Sequence, residues 1–302
     1  MGEFAALSAS GVWAVASLIF SRLGRVLTAL ALNWLKCVIA LLMLGVTLYV
    51  LEGRVWPELG SKELALLAVS GVVGLTIGDT AFFHALNRLG ARRTLLFAAL
   101  SPPMTALMAV PVLGEPIGVS LVVGMSLTLG GVVWVIRERH PDGADTIKMR
   151  DAAGRLTKTV KWGILFAVAA AFCQALGNVL TKWGGGEITA LEISVVRLVF
   201  GVIGLTLILG ATRQLWVAMG AMKIKKTAGL VFIATFLGTF LGIWLMNAGL
   251  RYTHVGIAST LSSTSPIFVL PLAYWFDGER LTARSVGGAV VAVVGVAVLF
   301  LW

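Results

Sequence analysis

Apolar runs of about 20 residues recur along the whole chain, divided by short polar connections. Ten of them are predicted as helical spans, over residues 4–21, 28–50, 64–87, 94–113, 117–136, 162–182, 188–210, 227–250, 255–276 and 283–302. At about 1.5 Å of rise per residue, runs of this length cross a hydrocarbon layer of about 30 Å.

The pattern repeats itself. Shifted by about 164 residues, Gly74-Leu-Thr-Ile-Gly78 falls on Gly238-Thr-Phe-Leu-Gly242, Ser101-Pro102 on Ser265-Pro266, and Gly114-Glu115 on Gly278-Glu279. Gly124 falls on Gly288 and Gly131 on Gly295. With an offset about three residues shorter, Thr28-Ala29-Leu30 falls on Thr189-Ala190-Leu191 and Lys36 on Arg197, so one small indel separates spans two and three between the copies. The chain divides into a first five-span repeat, 1–136, a hydrophilic linker, 137–161, and a second five-span repeat, 162–302. An odd number of spans makes the second copy enter the membrane facing the opposite way. The expected fold is therefore all-α and integral to the membrane, with ten transmembrane helices as two inverted five-helix repeats. Such a pair can pack open to one side or to the other at nearly equal energy, which is the basis of alternating access.

Composition narrows the class. Hydrophobic residues make up 58% and charged residues 13%, and the mean hydropathy is +0.95, more apolar sequence than a soluble core absorbs. No separate soluble domain has room, and no cleavable signal peptide is evident. The net charge of +10 raises nucleic acid as a partner, but the basic residues lie in the short connections, where they orient the spans. No nucleic acid is expected. The expected partners are the lipid bilayer and a small-molecule substrate, and the oligomeric state stays open.

Lys and Arg concentrate in the loops after spans one, three, five, seven and nine. Examples are Arg22, Arg25, Arg88, Arg92, Arg93, Arg213, Lys223, Lys225, Lys226, Arg280 and Arg284, with seven more in the linker. The alternate loops hold Arg54, Lys62, Lys182 and Arg251. By the positive-inside rule, the heavy loops are cytoplasmic and both termini lie outside. Cys37 and Cys173 fall inside spans and read as small core residues, so neither a disulfide nor a metal site is expected.

Glycine and proline positions carry more. Gly74 and Gly78, with Gly238 and Gly242 in the copy, are spaced one turn apart, which lets helix backbones approach closely in lipid. Pro102 and Pro103 interrupt span four, and Pro266 and Pro271 interrupt span nine; Pro102 and Pro266 are read as helix kinks. A kink frees a carbonyl that must be satisfied within the protein or by cavity water. Ser101, Ser262, Ser263, Thr264 and Ser265 beside the kinks either contact a polar substrate or repair that backbone. Glu115 and Pro116 read as the start of span five, the glutamate favouring the positive end of that helix, and Glu279 recurs in the copy near Thr282.

Ionisable groups within spans are costly and point to function. Lys36 and Asp79 both sit roughly 12 Å from the same membrane face, by rise per residue, and so can meet as an ion pair. Asp79 has no acidic mate, because its repeat position is Ile243. It is a proton-coupling candidate, with His84 five residues on; the competing readings are a structural ion pair and a hydrogen-bonded interface histidine. Arg197 would occupy the opposite leaflet, where it attracts an anionic group, snorkels, or pairs with Glu192. Asn178, one turn from Gln174, and Asn247 either link helices or orient a polar solute. Trp13, Phe82, Phe83 and Trp244 are candidate aromatic walls.

Ten spans duplicated as five plus five, Ser-Pro in the fourth span of each copy, and a Gly-Glu turn after it resemble the drug/metabolite transporter superfamily, in its EamA-type branch. The resemblance covers essentially the whole chain. It implies a multi-pass protein of the cell's cytoplasmic (inner) membrane, working as a secondary carrier and commonly as an exporter of amino acids, metabolites or drugs. It also implies a central cavity lined by spans one to four and six to nine, with five and ten as scaffold. Members of this type usually have cytoplasmic termini, where the loop charge here argues the reverse. The substrate-binding candidates are then Lys36, Asp79, Ser101, Asn178, Arg197, Trp244, Asn247, Ser262 and Ser265.

Two other classes compete. A membrane enzyme needs a catalytic constellation, but His84, His140 and His254 form no His-Glu-x-x-His motif, and no Walker loop is present, so no catalytic residue, cofactor or metal is expected. A channel usually builds its pore from a ring of equivalent groups in an oligomer, whereas this chain already encloses two halves.

Overall fold

The computed structural model describes the chain except for residues 25, 90–93, 95–96, 138–156, 223, 266, 269–282 and 301–302. Among the described residues all regular structure is helical. The first copy holds α1 (Gly2–Leu23), α2 (Ala29–Glu52), α3 (Ser61–Leu89), α4 (Ser101–Leu113) and α5 (Val119–Arg137). The second holds α6 (Lys158–Gly184), α7 (Ala190–Ala211), α8 (Lys225–Tyr252), α9 (Val255–Ser262) and α10 (Ala283–Phe300). A short helix, Leu215–Ala221, joins α7 to α8 in what the hydropathy pattern reads as a loop.

Among the described residues, α1, α2, α3, α6, α7 and α8 are long and apolar enough to cross a membrane, while α4, α5 and α10 contain shorter apolar stretches. The 24 residues of α2 cover about 36 Å. Large aliphatic side chains stand exposed along helix faces, among them Leu42, Val46 and Val50 on α2 and Val290, Val293 and Val294 on α10. In water such a surface drives association; hydrocarbon is the solvent that suits it.

The recurring Thr-Ala-Leu marks helix starts. Thr28 caps α2 by accepting from the Ala31 amide at 3.3 Å, and Thr189 caps α7 by accepting from the Glu192 amide at 3.2 Å. At Thr189 the Glu192 carboxylate reaches back to the Thr189 amide at 2.7 Å, completing a capping box. Glu192 is thereby held away from Arg197. Its other oxygen pairs with Arg54 at 2.7 Å, so the Arg197–Glu192 pairing allowed by the sequence does not form.

The glycine pairs fall at π-helical segments, Gly71–Gly78 within α3 and Phe236–Leu241 within α8. The Asp79 amide bonds back five residues to the Gly74 carbonyl, and the Gly242 amide to that of Leu237. Each π turn inserts a residue and rotates the downstream part of the helix by about 100° relative to an unbroken α-helix. Close approach is real at three of the four glycines. A Cβ on Gly74 would lie 3.2 Å from Arg197 Nη2, one on Gly78 would lie 3.0 Å from Cys173 Cβ, and one on Gly238 would lie 2.7 Å from Ala16 Cβ. At Gly242 the nearest atom is 3.5 Å away and belongs to the same helix, so that glycine serves no helix crossing.

The fourth span of each copy breaks at the same place. In the first, residues Ala99 and Leu100 form a turn and α4 starts at Ser101; in the second, α9 ends at Ser262 and Ser263 and Thr264 form the turn. The Leu100 amide bonds the Phe97 carbonyl at 3.0 Å, and Thr264 bonds Leu261 in the same i→i−3 manner at 3.2 Å. This corrects the kink assigned to Pro102. Pro102 and Pro103 stand in the first turn of a new helix, where no intrahelical donor is needed, and span four is not one continuous helix over 94–113. The proline inside α4 is Pro111. Pro266, Pro271, Gly278, Glu279, Arg280 and Thr282 lie outside the described residues, as do Arg25, Arg92, Arg93, Lys223, His140 and most of the linker.

Packing between the copies is reciprocal. α1 lies against α8 and α9, and α6 lies against α3 and α4, while α2 pairs with α7 and α5 with α10. The α5–α10 crossing explains two further repeated glycines. A Cβ on Gly131 would lie 2.5 Å from the Ala292 amide nitrogen, and one on Gly124 would lie 2.7 Å from Leu299 Cγ. Glu115 also departs from expectation. It follows Gly114, whose φ of +67° closes α4, and its Oε2 accepts from the Val255 amide at 2.9 Å. It therefore caps α9 in the other copy, not α5.

Candidate functional site

A cavity of about 240 Å³ lies between the two copies. Along α6 it is lined by Ala167, Ala170, Ala171, Gln174 and Asn178, an i, i+3, i+4 stripe about 17 Å long whose alanines make room. The facing stripe of α8 presents Gly238, Thr239, Gly242, Ile243, Met246 and Asn247. Gly242, unused at any helix crossing, leaves space here. The two span breaks meet the same cavity, through Thr94, Ala98, Ala99 and Ser101 on one side and Ser259, Ser262, Ser263 and Ser265 on the other. Ala9, Ser10 and Trp13 of α1, Lys36 of α2, Leu75, Gly78, Asp79 and Phe82 of α3, and Arg197 of α7 complete it. Among the described lining residues none comes from α5 or α10.

The hydroxyls at the breaks mostly repair backbone. Ser262 and Ser263 both donate to the Ser259 carbonyl, at 2.9 and 3.0 Å, Ser265 to that of Ser262 at 3.1 Å, and Thr105 to that of Ser101 at 2.8 Å. Ser101 Oγ and Thr239 Oγ1 are buried and have no hydrogen-bond partner among the described residues. Both line the cavity.

Among the described residues three charged side chains reach it. Lys36 Nζ meets Asp79 Oδ2 at 2.5 Å, with Lys36 2% and Asp79 23% exposed. The π segment ends immediately before Asp79, and its extra residue sets the phase at which that carboxylate reaches α2. Arg197, 4% exposed, donates from Nη1 to Asn247 Oδ1 at 2.8 Å, while Asn247 Nδ2 donates to Ser194 Oγ at 2.7 Å. Arg197 Nε has no partner among the described residues. The duplicated basic position thus keeps one arrangement in both copies, in which the second span bonds an acceptor on the third. The acceptor is a carboxylate in the first copy and an amide, one turn further along, in the second. Because Lys36 reaches Asp79 and Arg197 lies beside Gly74, the two cations are offset along α3 by about 7 Å.

Of the residues singled out from sequence, Lys36, Asp79, Ser101, Gln174, Asn178, Arg197, Asn247, Ser262, Ser265, Trp13 and Phe82 converge on this cavity. Three do not. His84, five residues and about 140° beyond Asp79, turns to Arg88 Nη1 at 3.1 Å and lies 5.3 Å from the Phe166 ring. Trp244 sits one position past the cavity face of α8 and meets Phe240 edge-on at 6.0 Å. Phe83 is buried against Phe20 and Phe82. Sequence reasoning passed over Ser10, Thr239, Met246 and Ser259. Only Ser259 carried a signal, one turn before the serine cluster at 262–265.

At one end of the cavity hydrogen bonds join three helices. Asn247 also borders a second, polar recess with Glu115, Lys182 and Arg251. There Lys182 Nζ donates to the Thr253 and Arg251 carbonyls at 2.8 and 3.2 Å, and Thr253 Oγ1 donates to Glu3 at 2.6 Å. These bonds tie the ends of α1, α6 and α8 together.

The family model of EamA-like transporters matches the chain in two stretches, residues 1–137 and 161–301. The chain belongs to the EamA-like transporter family. It is thus a multi-pass membrane protein of the drug/metabolite transporter type, a family of transporters and not of enzymes. No curated protein matches by sequence. A solved crystal structure, described only as that of a protein, is similar over 99% of this chain and 96% of its own, with a TM-score of 0.74 at 17% identity. At that identity the likeness concerns the fold alone.

Proposed function

We propose that this EamA-like chain is a secondary active carrier of the cell's inner membrane, with ten spans as two inverted five-helix repeats. It moves a small polar or amphiphilic metabolite outward by alternating access, and Asp79 couples the movement to protons. The carrying observation is the cavity between the copies, onto which the corresponding span breaks of both repeats open. Reciprocal packing of α1 and α6 against the opposite copy supports two equivalent halves, since exchanging the copies exchanges the contacts, and the odd number of spans in each half supports opposed orientation. The hydrogen-bonded end at Lys182 and Glu3 serves as one gate. Outward direction follows from the family's usual work.

Protonating Asp79 removes the charge partner of a lysine that solvent does not reach, so proton binding and the α2–α3 contact are linked. His84 has no part in this coupling. The test begins by comparing medium metabolites of overexpressing and deleted cells to find the solute. Purified protein in liposomes is then assayed with that solute. Preloaded solute on the far side should accelerate uptake, and Asp79→Asn should keep this counterflow while losing the response to an imposed pH gradient. Gradient-driven uptake that persists in Asp79→Asn sinks the proton role, and uptake indifferent to preloading sinks the carrier.

A further inference from the structure

We infer that the cavity binds a small monocarboxylate, its charge held by Arg197 and its apolar body lying against Trp13 and Phe82. The inference rests on the carrier reading for its purpose and on the cavity's charge for its content. Among the described lining residues the charges are Lys36, Asp79 and Arg197. The first two cancel at 2.5 Å, which leaves one positive charge.

That charge is poorly met. Arg197 is 4% exposed, and the side-chain acceptor its guanidinium reaches is the neutral Asn247 Oδ1, against five donors to be satisfied. Its Nε has no partner among the described residues. The nearest acid in sequence on its own helix, Glu192, is engaged by Arg54 and by its own helix cap. A buried cation with no carboxylate bonded to it is costly, and a planar guanidinium fits a carboxylate through paired hydrogen bonds. Space for the guanidinium is supplied by Gly74, where a Cβ would stand 3.2 Å from Nη2. Asn247 is fixed by its bond to Ser194, so its oxygen stays on Arg197 and leaves the remaining donors to a ligand. A monoanion brings the site to neutrality. A zwitterion would leave it positive and a doubly ionised phosphate would leave it negative. Ser101 Oγ and Thr239 Oγ1 remain to bond a hydroxyl or carbonyl of the same solute.

The test uses the full chain in detergent, equilibrated with a total small-molecule extract of cells that express it and rapidly desalted. Retained compounds are identified by mass spectrometry. Organic monocarboxylates should dominate the wild-type pool, fall about tenfold or more in Arg197→Gln, and be partly kept in Arg197→Lys. Asn247→Asp guards against misfolding, because it places a carboxylate beside an intact Arg197; it should exclude the same compounds while the protein stays folded. A pool of neutral or cationic solutes, a pool unchanged in Asn247→Asp, or retention of inorganic anions alone overturns the inference. A retained monocarboxylate that shows no counterflow in liposomes sinks the carrier and leaves this binding assignment standing. Counterflow of a neutral solute does the opposite.

Discussion

Removing one partner of the Lys36–Asp79 pair should cost far more than removing both. At an effective dielectric of about 20, unit charges 2.5 Å apart attract by roughly 7 kcal/mol. Desolvation of the two ions takes back several kcal/mol each, so the intact pair contributes little net stability against an apolar replacement. A broken pair is another matter. Asp79→Asn leaves Lys36, 2% exposed, with no counter-charge, only a neutral amide oxygen and the Phe83 ring 5.7 Å away, and should destabilise by about 3–5 kcal/mol. Lys36→Met should cost less, about 1–3 kcal/mol, because Asp79 is 23% exposed and faces the cavity, where water can take the place of the lysine. The double variant should lie within about 1 kcal/mol of wild type, giving a coupling energy of roughly 6 kcal/mol. The assay is reversible unfolding in mixed micelles, titrated with dodecyl sulfate at neutral pH and followed by circular dichroism. A double variant that costs the sum of the singles would show that the two charges do not act as a unit. An Asp79→Asn loss below about 1 kcal/mol would show that Lys36 has another way to be satisfied.

The same titration checks two other features. Thr189→Ala removes a capping box and should lose about 1 kcal/mol, with Thr28→Ala losing less because α2 lacks the reciprocal glutamate. Gly131→Ala should lose about 1–3 kcal/mol, since its Cβ would meet backbone at 2.5 Å, whereas Gly130→Ala, with nothing within 4 Å, should gain up to about 1 kcal/mol. Equal effects at the two glycines would contradict the crossing.

Much of the fold was legible because span length and glycine spacing report directly on lipid and on close packing. The repeated motifs also proved to be marks of geometry. Thr-Ala-Leu is a helix cap, Gly124 and Gly131 meet α10, and Ser101-Pro102 begins the helix after a break. What stayed hidden was phase. A π turn needs no distinctive residues beyond small and β-branched ones, yet it decides that Asp79 and Phe82 face the cavity while Phe83 and His84 do not. The proline pair misled for a related reason, since a proline at a helix start and one inside a helix look alike in sequence. Glu115 could not be assigned either, because the helix it caps lies about 140 residues away in the other copy.

Duplication explains why the site has its particular asymmetry. Both copies carry a cation on the second span, and both turn it toward the third span across a π segment. An ancestral pair of identical arrangements would offer either two internal salt bridges or two unmatched cations. The first would leave nothing for a charged solute, and the second would leave two positive charges facing it. Keeping Asp79 in one copy while Ile243 stands at its repeat position divides the labour. One cation is held by a carboxylate that faces the cavity; the side-chain acceptor of the other is a neutral amide. Restoring the symmetry with Ile243→Asp should therefore abolish solute binding at Arg197 even with Lys36 and Asp79 intact, because the new carboxylate faces the same cavity and supplies the counter-charge that the solute would bring.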